Sequence, residues 1–203
     1  MKKTIAALVV SALFAVESGA AGLIWDEAID GDLSGDYLNP TTLFLNSNTG
    51  EEDVLFTTVG GNPNQDREYF TFTIPSGYQL SSLKLVTFET DPASNLGFIG
   101  VAAGSVFPTP PTSPDPTTLL GYALIGNSEV GTDILQSIGT GPGSQGFAGP
   151  LAAGSYTWWA QETGPSTDDW ELQFSFAAAA VPEPSAALLW SVGFLGLLRP
   201  RRR

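Results

Sequence analysis

Trp170, Leu172, Phe174 and Phe176 alternate with Glu171, Gln173 and Ser175. Successive strand side chains point to opposite faces, so this spacing describes a strand with one dry face and one wet face. Tyr69 to Ile74 repeats the pattern and sets Phe70, Phe72 and Ile74 on one side. Pro75-Ser76-Gly77 then reads as a turn and Tyr78 to Glu89 as the return strand, with Leu83 and Leu85 facing opposite to Val86 and Phe88. Further strands are expected at 54–59, 96–102, 119–125 and 155–161, with glycine and proline breaks at 60–63, 108–116 and 139–150. Only 130–138 invites a short helix, with Thr132 as its cap. Many short strands at such intervals predict an all-β fold, an antiparallel β-sandwich of jelly-roll type.

The body that carries these strands, residues 21–180, is the size of one domain with a real core. It holds nineteen acidic side chains against two basic ones, Arg67 and Lys84, a net charge of −17. Such a body repels nucleic acid phosphates and anionic membrane surfaces. It contains neither cysteine nor histidine. That removes disulfides, the usual zinc ligands and the Ser-His or Cys-His nucleophile pairs. Carboxylate chemistry and oxygen ligation of hard cations remain.

Both ends read as addresses. Lys2 and Lys3 precede an apolar stretch, Ile5 to Val16, and small residues follow to a cut expected after Ala20, so 1–20 reads as a signal peptide helix. At the other end, Ser185 to Leu198 read as a short apolar helix between Val181-Pro182-Glu183-Pro184 and Arg199-Pro200-Arg201-Arg202-Arg203. Such a helix is roughly 21 Å long against a hydrocarbon core of ~30 Å. The arginines would hold the far end on the cytoplasmic side. The segment suits transient membrane contact better than a permanent span, though a single-span anchor is the alternative reading.

Residues 181–203, with Val181, Pro182, Glu183, Pro184 and Ser185, the Leu-rich stretch and the closing Arg199, Arg201, Arg202 and Arg203, resemble the PEP-CTERM sorting signal of Gram-negative bacteria. Pro200 departs from an unbroken basic cluster. The resemblance implies recognition by an exosortase and the export machinery, removal of the tail near the motif, and a destination at the cell surface or in an exopolysaccharide matrix or biofilm. Two stretches of the body, Asp66 to Gly77 and Leu151 to Gly164, resemble the acidic Tyr-Phe strand segment and the last hairpin of pre-peptidase C-terminal (PPC)-like sandwich domains. Those domains are non-catalytic modules of secreted proteins, some of which bind polymers or calcium.

Two features of the body suggest ligands. Asp30, Asp32 and Asp36 stand close together with Gly31 and Gly35 between them, and their spacing can offer three oxygens to calcium, which takes six to eight. The run lacks the EF-hand order, since Thr41 stands where the twelfth-position Glu would be, and an acidic solvated loop is the competing reading. Trp158 and Trp159 are adjacent on a strand and so face opposite ways. One ring is core. The other is either covered or exposed as a platform for a sugar ring. The expectation is a non-catalytic exported surface or matrix protein, with a carbohydrate-binding module, calcium-stabilised, as the alternative. An enzyme would need two carboxylates about 5 to 9 Å apart in one cleft.

Overall fold

In a computed structural model, residues 21–61 and 65–180 are described. The expected signal peptide and the sorting segment 181–203, with its motif and arginines, lie outside them. Among the described residues no helix is long and apolar enough to cross a membrane.

The alternation around Trp170 becomes β9 (Thr167–Ala178), whose Trp170, Leu172, Phe174 and Phe176 are all buried. β9 lies inside a four-stranded sheet, between β3 (Gly50–Val59) and β5 (Tyr78–Glu89), with β1 (Gly22–Asp26) beyond β3. The facing sheet runs β2 (Thr41–Thr42), β4 (Arg67–Ile74), β8 (Gly154–Glu162), β6 (Gly97–Ala103), β7 (Gly121–Ile125). The two sheets enclose one apolar layer, so the chain is an all-β sandwich. Aromatic rings fill its middle. Trp158 packs on Phe70, Phe72 and Phe174, the last edge-on at 5.2 Å between centroids. Trp170 stacks on Phe56 at 5.4 Å and donates its indole N–H to Thr58 Oγ1 at 2.9 Å.

Several local expectations need correction. Tyr78–Glu89 is a strand, but it pairs with β9 rather than returning along β4. Both edges of β4 are taken, by β2 and β8, so the turn at Pro75–Gly77, with Gly77 at φ +85°, passes the chain into the other sheet. Leu83, Leu85 and Phe88 all point inward. An irregularity between Leu85 and Thr87 inserts Val86 and flips the facing, as a bulge does. The last two strands are likewise no hairpin, since β8 and β9 belong to different sheets. The pairing is antiparallel except at two edges, where β1 joins β3 and β2 joins β4 in parallel. Residues 130–138 yield only α2 (Leu135–Gly139); its first free N–H, on Leu135, is taken by Asp133 at 3.0 Å, whereas Thr132 bonds Glu129.

The outer face of the five-stranded sheet is not wet. Tyr69, Ala102, Phe107, Leu119 and Trp159 form a second buried cluster there. The proline-rich connection between β6 and β7 folds back over it, with Phe107 edge-on to Trp159 at 5.4 Å.

Candidate cation site

β4 keeps strict alternation, so Glu68 shares its facing with Phe70, Phe72 and Ile74 and points between the sheets. It is 0% exposed, and neither of its carboxylate oxygens has a hydrogen-bond partner among the described residues. Buried polar groups are nearly always satisfied, so this side chain requires an explanation. It sits where the sandwich ends: Glu162 on β8, Asp168 on β9 and Thr58 on β3 continue the inward facings of their strands there and are buried too. Glu162 and Asp168 each satisfy one oxygen, from the Gly164 N–H at 2.6 Å and the Ser166 hydroxyl at 3.1 Å.

The N-terminal segment brings two more carboxylates to Glu68. β1 pairs with β3 only as far as Asp26 opposite Leu55, and α1 (Glu27–Asp30) begins at once. Asp26 caps this turn by accepting from the Ala28 N–H. Glu27 accepts the Thr57 N–H at 2.7 Å and the Leu33 N–H at 3.1 Å, tying the turn to β3. Gly31, at φ +92°, reverses the chain. Leu33 then plugs into the core, and the Ser34 carbonyl accepts from the Tyr69 N–H at 2.8 Å. Asp32, on the stretch between Gly31 and Leu33, is thereby held next to β4. One carboxylate oxygen from each of Glu27, Asp32 and Glu68 lies within 4.8 Å of the others.

The electrostatics of this trio are unfavourable without a counter-charge. Burial, reinforced by Asp66, Glu27 and Asp32, pushes the Glu68 carboxyl up to about 10. Burial also raises Glu27, against the two backbone N–H bonds it accepts, and raises Asp32 with help from Asp66. The neighbouring cation, Arg67, faces the other side of β4 and is bound to Gln161 and Gln65. Oxygens bound to one calcium at 2.3–2.6 Å can stand as far as about 5 Å apart, so the three carboxylates fit such an ion in number, type and reach.

Of the expected trio, only Asp32 is part of this cluster. Asp30 accepts the Asp26 N–H, and Asp36 closes its own turn through the Leu38 N–H and the Asn39 amide. The acidic run is thus mostly a capped loop. The members that sequence reasoning missed, Glu27 and Glu68, were readable in part: one step back along the Phe70-Phe72-Ile74 phase reaches Glu68.

The sugar platform is also corrected. Trp158 is 0% and Trp159 3% exposed, so neither presents an open ring face. Trp159 instead floors a cavity of about 320 Å³ beneath Pro111, Pro114 and Pro116, with Phe98, Tyr122 and Gln161 on its walls. A second groove, of about 240 Å³, collects Asp26, Glu27, Asp169 and Glu171. There Asp169 and Glu171 already accept the hydroxyls of Thr57 and Thr87. No family model, no curated protein and no solved structure matches this chain.

Proposed function

We propose that this chain is a non-catalytic exported protein of the cell surface or extracellular matrix, delivered by an exosortase-type sorting system and associated with exopolysaccharide. The observation that carries the reading is the C-terminal order of Pro-Glu-Pro motif, short apolar run and arginine cluster in residues 181–203. Its partner is the charged start, apolar run and small-residue exit of residues 1–20. The body is consistent with the role of cargo. Among the described residues, every strand of both sheets lies between Gly22 and Ala178 and shares one buried apolar core. Its excess of acid keeps copies apart and away from anionic lipid.

Fractionation of cells carrying the full chain, and of cells carrying a form without residues 181–203, tests the reading. The full chain should reach the surface or medium with its tail removed, and the shortened form should fail to do so. Recovery of the intact chain from the cytosol with both ends uncut would refute it.

Carbohydrate binding is a second reading, favoured by the cavity over Trp159. Phe98 and Tyr122 stack at 5.8 Å beside it, and ring faces with a nearby amide suit a sugar. Retention of the chain on extracellular polysaccharide, lost on Tyr122→Ala with the fold intact, supports this reading; no retention removes it.

A further inference from the structure

We propose that Glu27, Asp32 and Glu68 form a calcium site that fastens the N-terminal segment onto the end of the β-sandwich. Two independent observations meet there. The first is geometric: three carboxylates from two stretches of chain, the N-terminal segment and β4, converge within 4.8 Å. The second is the state of Glu68, wholly buried on the inward face of β4 with neither oxygen hydrogen-bonded among the described residues. An acid placed on the apolar phase of a strand, with no donor bonded to either oxygen among the described residues, is a large penalty in a folded core. A divalent cation at the convergence point removes the penalty by ligating the orphaned oxygens and offsetting the repulsion among the three.

The ligand chemistry selects the ion. All the donors are oxygen, and the body has no cysteine or histidine, so soft and borderline metals have no preferred ligand. Magnesium demands a tight octahedron at 2.0–2.1 Å, while calcium accepts irregular shells at 2.3–2.6 Å. Glu27 already gives each oxygen to a backbone N–H, yet a carboxylate oxygen has a second lone pair and can ligate as well. Asp32 is exposed and gives the ion a way in from solvent, and Asp66 adds negative charge beside it. Glu68 supplies the inner wall. The remaining positions of the shell go to water. A site with three carboxylates and an open side belongs to the weak class of extracellular calcium modules, with Kd on the order of 0.1–1 mM.

The site also has a structural consequence. Glu27 follows β1, and β1 is an edge strand held in parallel pairing to β3. Asp32 lies in the connection to β2, the edge strand of the other sheet. An ion shared with Glu68 therefore clasps both sheets at one end.

The test uses the full chain in mild detergent, freed of metal with a chelator, then titrated with calcium chloride or magnesium chloride. Melting is followed by tryptophan fluorescence and binding by calorimetry. Calcium at tenfold excess over Kd should raise Tm by about 3–6 °C, and magnesium should do less. Glu68→Gln should fold and lose at least tenfold in calcium affinity. Asp32→Asn, at an exposed position that does not endanger folding, should weaken binding in the same way. Asp36→Asn, outside the cluster, should bind as the parent does. Absence of any calcium-dependent shift in the parent would overturn the site and leave Glu68 as a buried neutral acid. Equal losses in Asp36→Asn and Asp32→Asn would overturn it as well, showing diffuse attraction to an acidic surface.

Discussion

Glu68 makes stability fall as pH rises, and the size of the effect follows from its position. Its carboxyl titrates near 10 in the folded chain against an ordinary value of 4.5, because burial and the charges of Asp66, Glu27 and Asp32 oppose ionisation. Between those two values the folded state holds a proton that the unfolded state has lost. Unfolding is therefore favoured progressively as pH rises from 4.5 toward 10, by about 1.4 kcal/mol per unit at most. From pH 5 to pH 7 this is a loss of about 2.7 kcal/mol, or ~5–11 °C in Tm for a domain of this size. Relaxation of the side chain toward water makes that figure an upper bound. Glu27 and Asp32, raised for the same reason, act with the same sign. Glu68→Gln keeps the shape of the neutral acid and removes its titration. In chelator, the parent should therefore lose stability steeply from pH 5 to pH 8, while the variant declines less and is the more stable of the two at pH 7. Urea denaturation of both chains at four pH values reads the difference of slopes directly. Parallel slopes would refute the reasoning, since they would show that Glu68 ionises as readily folded as unfolded.

Three further outcomes follow from packing. Thr58→Val leaves the buried Trp170 indole N–H without its acceptor and should destabilise by about 1–3 kcal/mol in urea denaturation. Gly97→Ala sets a methyl 2.3 Å from the Trp170 ring, which Phe56 and Phe88 hold in place; it should cost about 1–3 kcal/mol, read as a lower Tm with a changed Trp170 environment in near-UV circular dichroism. Trp158→Ala empties the centre of the aromatic layer and should cost about 3–5 kcal/mol, so any loss of polysaccharide retention in that variant must coincide with partial unfolding in the same circular dichroism assay.

Much of the layer structure was legible. The inward faces of β9 and β4 follow from apolar residues at every second position, and β8 was expected almost to its ends. The partners of those strands were not. A turn at Pro75–Gly77 has the same local chemistry whether the chain comes back along β4 or crosses to the opposite sheet, and the crossing was decided by β2 and β8 occupying the edges of β4. The facing of Phe88 does not follow from the alternation, because one inserted residue, Val86, resets it. The site was half legible. Asp32 stood out in an acidic run, but its neighbours in that run, Asp30 and Asp36, spend their oxygens on local turns. Glu68 lay unnoticed among the residues that open β4. Its buried state depends on Leu33 and the Ser34–Tyr69 bond bringing the N-terminal segment over the strand end.

In unbroken strands such as β4 and β9, the sequence alone determined which side chains share a face, because strand geometry makes every second residue a neighbour whatever the strand pairs with. It also determined the acidic balance and the absence of histidine and cysteine, which restrict any site to oxygen chemistry. Only the tertiary structure decided which strands meet, that both Trp158 and Trp159 are covered, and that Glu27, Asp32 and Glu68 converge. Such juxtapositions depend on contacts between distant parts of the chain, and no local pattern of residues encodes them.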